Sequence, residues 1–213
     1  MQNLHGGSTD FTLRHQLDAL PPTNLVCAQI VAADQLGELA ALARRAIPGV
    51  RASEQELAEF LRHDPESIFL LCRGGNLLGG IAFLYLNCAG LDALLLDDID
   101  LSAPARRYLA RPDEEVAAIY VWALVAQGRG AVGLGNVAQV LRGPRFHGAD
   151  YYAQPSSRDG RAFLAALGFA PVPSFQPDLW WYQRQWNRLP ELASPSIQLM
   201  ESFAEGSVAD ARY

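Results

Sequence analysis

The sequence contains no lysine: all 17 of its basic residues are arginine. That absence removes a group of mechanisms, because a Schiff-base amine, a pyridoxal-phosphate anchor, a P-loop lysine and a kinase-type lysine all need an ε-amine. Other reactive side chains are sparse too. The three cysteines, Cys27, Cys72 and Cys88, stand 45 and 16 positions apart. No zinc site has that spacing, and their apolar, strand-like neighbours predict small buried hydrophobes in a reducing compartment. The four histidines, His5, His15, His63 and His147, form no i, i+4 pair, so no metal is expected and each reads as a surface residue. No apolar run approaches the ~18–20 residues that span a bilayer. The segment Met1 to Asp10 lacks the basic-then-apolar pattern of a secretory leader, so a soluble, cytoplasmic chain without a membrane partner is expected. A net charge of −6 provides no overall basic face to displace phosphate counterions, which argues against a nucleic-acid partner.

What is present is an ordinary globular composition: 213 residues, 50% apolar and 19% charged. Three regions are expected: an arm over 1–23 closed by Pro21-Pro22, a domain over 24–186, and a Pro-, Ser- and Gly-bearing tail over 187–213. Within the domain, Asn24 to Ala32 reads as a strand, and Gln35 to Ala46 as a helix with Asp34 as cap and Pro48-Gly49 as stop. Ser53 and Glu56 form a capping-box pattern opening a second helix, which Asp64-Pro65 closes. Ser67 to Arg73 and Leu77 to Asn87, joined by Gly74-Gly75-Asn76, predict a hairpin. Residues 88–115 read as a long excursion with one short helix near Ala103 to Ala110. Then follow a buried strand, Val116 to Ala126, a glycine-rich turn and a helix over Asn136 to Arg142. A strand over Ala149 to Gln154 comes next, then a helix from Gly160 to Leu167 capped by Ser157 or Asp159. Two closing strands, Phe169 to Val172 and Leu179 to Trp186, complete a mixed α/β domain.

The turn Gln127-Gly-Arg-Gly-Ala-Val-Gly-Leu-Gly135 carries the strongest functional signal. A strand handing over to a helix through glycines exposes backbone N–H groups that lack acceptors, and glycine lets a phosphate approach the main chain. Arg129 adds a positive charge beside it. Gly128, Gly130 and Gly133 also satisfy G-x-G-x-x-G, the dinucleotide fingerprint. That motif needs an acidic residue ending the next strand, whereas Asp150 begins it and Pro144 breaks the intervening helix. A dinucleotide module is therefore a minor alternative.

The element order, with this turn behind the fourth strand and Leu167-Gly168-Phe169 behind the fourth helix, resembles the GNAT superfamily of N-acetyltransferases over roughly residues 25–186. The family's turn has the form Q/R-x-x-G-x-G/A. Gln127-x-x-Gly130 matches its first half, with Val132 standing where Gly or Ala is usual; alternatively Arg129-Gly130 is followed by Gly133-x-Gly135 with one residue inserted. Phe163 to Phe169 looks like the family's fourth helix and following strand. The resemblance implies a GNAT-like central, mostly antiparallel mixed sheet flanked by helices. It also implies acetyl-CoA or another acyl-CoA as co-substrate, and an amine acceptor, either a small molecule or a peptide.

By the same resemblance, Trp122, Leu124 and Val125 would line the pantetheine arm and offer a backbone N–H to the thioester oxygen. Gln127, Gly128, Arg129, Gly130, Val132, Gly133 and Gly135 would hold the pyrophosphate. The family's usual acid is a tyrosine four residues before the Gly of the Gly-Phe pair; that position is Leu164, which has no proton to give. Tyr151, Tyr152 and Tyr120 are the substitute phenols, or else the thiolate leaves unaided. Glu115 and Glu114 precede the fourth strand, whose centre lacks a carboxylate, and Asp97, Asp98 and Asp100 lie in the excursion; these acids read first as a solvated acidic surface, and otherwise as groups that attract a cationic amine or act through water. Trp180, Trp181, Tyr182 and Trp186 serve the core, an acceptor pocket or a homodimer contact. The competing expectation is a degenerate relative that binds CoA or a partner without turnover.

Overall fold

The structure, a computed structural model, describes residues 25–47 and 52–184. The expected arm and tail, the Pro48-Gly49 stop and Trp186 lie outside the described residues. Within them, apolar runs form seven strands: β1 (Val26–Ile30), β2 (Ile68–Arg73), β3 (Asn76–Leu86), β4 (Ala118–Ala126), β5 (Asp150–Ala153), β6 (Ala170–Pro171) and β7 (Trp180–Tyr182). They join in one sheet of order β1-β2-β3-β4-β5-β7-β6, antiparallel except for the β4/β5 pair. The β2–β3 hairpin closes as read, with Gly74 and Gly75 both at positive φ (55° and 82°), the geometry a tight two-residue hairpin loop demands.

Period-2 alternation sends the side chains of β2, β3 and β4 to two cores. Ile68, Leu70, Leu84, Leu86 and Tyr120 face α1 (Leu36–Ala46), α2 (Glu54–His63) and α3 (Cys88–Leu96). Phe69, Leu71, Ile81, Phe83 and Ile119 face Val137 and Leu141, on and just after α4 (Leu134–Val140), together with Phe146. Each such fully buried side chain contributes about 1.5–3 kcal/mol by leaving water. The sheet has the architecture expected: central, mixed, mostly antiparallel and covered by helices.

The capping reading holds for α2, where Glu56 N–H donates to Ser53 Oγ at 3.1 Å and Ser53 N–H to Glu56 Oε2 at 2.8 Å. It also holds for α5 (Arg158–Ala166), where Gly160 N–H donates to Ser157 Oγ. That helix ends as glycine predicts: Gly168 sits at φ 90°, and Phe169 N–H and Gly168 N–H return to the carbonyls of Leu164 and Ala165. Asp34 is not the cap of α1. It lies in a 3-10 turn, Ala33–Gln35, and Gln35 Oε1 takes the free Ala32 N–H instead.

The excursion differs most from expectation. Its helix is α3 at the start, and Ala103 to Ala110 holds only a 3-10 turn, Arg106–Tyr108. Asn87 caps α3 by accepting from Gly90 N–H at 2.9 Å, and its amide donates to the Arg107 carbonyl, so one side chain both starts the helix and anchors the returning chain. The cysteines are also not uniformly buried: Cys72 is, but Cys27 and Cys88 are exposed, the first on an edge strand and the second in the first turn of α3. A buried ion pair, Arg145 Nη1 to Asp64 Oδ2 at 2.6 Å, ties the loop after α4 to the end of α2.

Candidate functional site

The site is built on the far half of β4. Its parallel pairing with β5 runs from Ala118↔Asp150 to Val121↔Ala153 and stops there, while β4 continues to Ala126 held by β3 alone. The two strands therefore fork, and past Val121 the outward-directed backbone groups of β4 have no strand partner on that side among the described residues. The register with β3 slips at the same place: Ala82 opposes Ala123 but Phe83 opposes Val121, leaving Trp122 as the extra residue of a bulge. The bulge changes the alternation, so that Trp122 and Val125 pack toward α1 while Val121 and Leu124 face the α4 side.

Trp122 is held in place from outside the sheet. Its indole N–H donates to the Leu101 carbonyl at 2.8 Å, and its ring meets Phe60 of α2 edge-on at 5.0 Å. The excursion is thus clamped onto the bulge at Leu101, and the exposed Asp97, Asp98 and Asp100 stand in the four residues just ahead of that contact. Asp100 accepts from the hydroxyl and N–H of Ser102, which hold its carboxyl below the usual range. Close approach here depends on Gly79 and Gly80 of β3: a Cβ on the first would lie 2.0 Å from the Val125 carbonyl oxygen, and on the second 2.6 Å from Leu39 of α1.

Beyond Ala126 the chain turns sharply. Gln127 N–H donates to the Leu78 carbonyl, and Gly130 N–H donates back to Gln127, closing a turn over Gly128 at φ 54° and Arg129. A 3-10 turn, Gly130–Gly133, then leads into α4. The N–H groups of Gly128, Arg129 and Ala131 have no acceptor among the described residues, and Gly128, Arg129, Val132 and Gly135 are exposed. The corner is open to solvent.

The four glycines split into two roles. A Cβ on Gly128 or Gly135 would meet nothing within 4 Å. One on Gly133 would lie 2.9 Å from Leu71 Cδ2 and 3.3 Å from Val26 Cγ1, and one on Gly130 would press on Leu78 at 3.3 Å. Gly130 and Gly133 are buried and seat the turn on the sheet; Gly128 and Gly135 leave its outer face clear. Since α4 has only seven residues, its dipole adds little to the positive potential of this corner, which comes chiefly from the turn amides and Arg129.

The candidate phenols separate. Tyr120 and Tyr152 are register partners at the crotch of the fork, on the α1–α3 face. Tyr120 Oη donates to Gln154 Oε1 at 2.9 Å, and the Gln154 amide donates to the Pro177 carbonyl, bridging β4, the end of β5 and the loop before β7. Burial raises the Tyr120 hydroxyl well above an ordinary tyrosine and pushes Tyr152 up to about 12. Tyr151 points to the opposite face, where it accepts from buried Arg184 at 2.6 Å. Glu115 stands ahead of β4, some seven residues or about 20 Å of strand from Trp122. It lines a cavity of about 610 Å³ with Arg142, Arg145 and His147. Tyr151 and Glu115 are therefore not brought to the fork: strand alternation removes the first and strand length the second.

Gln154 is the fork residue that sequence reasoning missed, since a glutamine ending an apolar run carries no local signal. Leu164 is buried in α5. Trp180, Trp181 and Tyr182 form β7, with Trp181 packed against the core holding Tyr152. Among the described residues no three His, Cys, Asp or Glu side chains gather as metal ligands, and no helix is long and apolar enough to cross a membrane.

The fold class defined by this sheet is a mixed, mostly antiparallel seven-stranded sheet covered by helices, and solved structures similar to it include the following. Arabidopsis thaliana Naa50, in complex with the bisubstrate analogue CoA-Ac-MVNAL, is 16% identical with a TM-score of 0.47, covering 73% of this chain and 95% of that one. Ard1 from Thermoplasma volcanium is 12% identical with a TM-score of 0.47, over 74% and 96%. The loading GNATL domain of CurA from Lyngbya majuscula is 16% identical with a TM-score of 0.49, over 70% and 71%. These are likenesses of fold alone. No family model matches the chain, and no curated protein matches it in sequence.

Proposed function

We propose that the chain is an acyl-CoA-dependent N-acyltransferase, with acetyl-CoA as the first candidate donor and a small-molecule or peptide amine as acceptor. The observation that carries this reading is the conjunction of an open strand fork with a turn whose outward amides have no acceptor. The turn and Arg129 suit a diphosphate. The unpaired edge of Trp122 to Val125 suits an extended amide-bearing arm, which would complete the interrupted ladder as an added strand does. Gln127 opens the turn just past β4 and Gly130 and Gly133 seat it, so their part is to present the amides rather than to touch the ligand.

At the fork, transfer needs an unprotonated amine brought against the thioester carbon, and positioning supplies much of the rate. A β4 N–H aimed at the developing oxyanion contributes on the order of 10²–10³ in rate. The amine's proton passes to solvent, with the aspartates of the excursion favouring arrival of the cationic form. The departing thiolate gains little from the phenols. A hydroxyl at about 12 protonates a thiolate near ~8.5 only at a cost of roughly 5 kcal/mol for complete transfer, so Tyr120 and Tyr152 act as hydrogen-bond donors at most.

That energetic mismatch, with Leu164 in place of a phenol, favours one second reading: a CoA-binding relative without turnover. Calorimetric titration with acetyl-CoA tests the site, and release of free thiol from acetyl-CoA across a panel of amines tests the chemistry. Binding with amine-dependent thiol release supports the transferase. Binding without release under any amine supports the second reading, and no binding rejects both.

A further inference from the structure

Cys27 of β1 and Cys72 of β2 are direct cross-strand partners. Opposed residues of an antiparallel pair project to the same face, and here Cys27 Sγ lies 3.7 Å from the Cys72 carbonyl oxygen. Gln29, two residues along β1 and so on that face too, directs its amide at the Cys72 sulfur from 4.0 Å. Cys27 is exposed on an edge strand, whereas Cys72 is buried beneath it, its thiol raised by desolvation first and by the nearby Cys27 second. Val31 N–H donates to the Ile68 carbonyl, and hydrogen-bonded pairs recur every second residue, so Cys27 and Cys72 also form a hydrogen-bonded pair. Such a pair has a Cα separation of about 5.5 Å, inside the range of roughly 4.4–6.8 Å that a disulfide spans. Its Cβ atoms start near 5.5 Å and must approach to about 4 Å. β1 can follow, since no strand among the described residues lies on its outer side.

We propose that Cys27 and Cys72 form a reversible cross-strand disulfide when the chain meets a small-molecule disulfide such as oxidised glutathione. The exposed Cys27 thiolate attacks one glutathione sulfur, forming a mixed disulfide and expelling the other glutathione as thiolate. The Cys72 thiolate then attacks the Cys27 sulfur and expels the second glutathione. Two protein thiols are oxidised, one glutathione disulfide is reduced to two thiols, and the two protons lost by the cysteines end on the departing glutathiones. The second step is the slower, because burial keeps Cys72 mostly protonated. The closing movement strains the bond and leaves it easily reduced, which makes the pair a switch rather than a permanent brace. It acts on the strand that supports the turn: the place of a Gly133 Cβ is 3.4 Å from the Cys27 carbonyl oxygen, and Ala28 N–H donates to Asn136 Oδ1 of α4.

The test uses the full-length chain, incubated over a series of reduced-to-oxidised glutathione ratios, then alkylated and digested with trypsin. Cleavage after Arg14, Arg44, Arg62, Arg73 and Arg106 places each cysteine on its own peptide, 15–44, 63–73 and 74–106. The expected product is a linked 15–44/63–73 pair that dithiothreitol separates, with the Cys88 peptide alkylated. The Cys27→Ser variant, altered only at an exposed side chain, should leave Cys72 free of glutathione and recoverable as alkylated peptide after unfolding. Recovery of the Cys27 and Cys72 peptides separately at every ratio, whether alkylated or glutathionylated, overturns the proposal. So does linkage through Cys88 alone.

Discussion

Replacing Gly135 by valine separates ligand contact from packing. A Cβ at Gly135 meets nothing within 4 Å and the position is exposed in the first turn of α4, so the free protein has no atom to displace. Valine is a better helix residue than glycine, and the stability change should stay within about ±0.5 kcal/mol, a melting shift of no more than ~2 °C for a domain of this size. If the diphosphate lies on the outer face of the turn, the added isopropyl group occupies part of its space. Affinity for acetyl-CoA should then fall at least about tenfold, a loss of ~1.4 kcal/mol. Gly133→Ala is the contrasting change. Its Cβ would be 2.9 Å from Leu71 Cδ2, and Leu71 is fully buried in β2, so its side chain must shift within a packed core. Overpacking of that kind costs about 1–3 kcal/mol, or roughly 2–10 °C of melting temperature. Calorimetry and thermal unfolding on both variants read the two effects. Unchanged acetyl-CoA affinity in Gly135→Val, with the parent's stability, would show that the diphosphate does not use this face. A Gly133→Ala protein as stable as the parent would refute the division of the glycines into seating and facing roles.

Asp64→Ala should cost about 2–4 kcal/mol in chemical denaturation. It removes the buried partner of Arg145, which keeps only the Arg111 and Glu114 carbonyls and the faces of Tyr85 and Phe146; a loss below ~1 kcal/mol would contradict that account. Trp122→Phe deletes the indole N–H that holds the Leu101 carbonyl and should lower stability by about 1–2 kcal/mol, with faster amide exchange over residues 97–103; unaltered exchange there would mean the clamp is idle. Burial raises Tyr85, Tyr120, Tyr151 and Tyr152 above the ~10 of an unfolded chain, so the unfolded state loses protons first. Stability is intact below pH ~10 and declines as pH rises toward about 12, the value for Tyr152. Denaturation midpoints and tyrosinate absorbance followed together check this, and ionisation of more than three of the seven tyrosines near pH 10 in a still-folded protein would contradict it.

Local rules carried much of the architecture. Ser53 with Glu56, Ser157, the Gly74-Gly75 loop and Gly168 each act on partners within five residues, and such short-range hydrogen bonds are legible in one dimension. The helix of the excursion is not legible in the sequence because α3 is apolar nearly all round and shows no one-sided period, and its cap, Asn87, reads as the last residue of a strand. Among the site residues, the glycine-rich turn behind β4 was visible because backbone exposure follows from composition. What those glycines do was not visible, since Gly130 and Gly133 are explained by Leu78, Leu71 and Val26, residues about fifty to a hundred positions earlier.

The catalytic candidates divide along the same line. Tyr120, Tyr151, Tyr152 and Glu115 are equivalent as residues near a strand, and only pairing register decides that two phenols share the crotch while Tyr151 faces Arg184 and Glu115 stays at the other end of β4. The fork itself is a relation between strands, set by where β5 stops and where β3 slips past Trp122. Composition alone excluded lysine chemistry, and short-range patterning placed most helices, strands and the open turn, because these depend on groups the chain brings together within a few residues. Which side chains meet at the fork, and that Cys27 lies against Cys72, was decided only by the sheet, because its pairing joins positions whose separation no local pattern encodes.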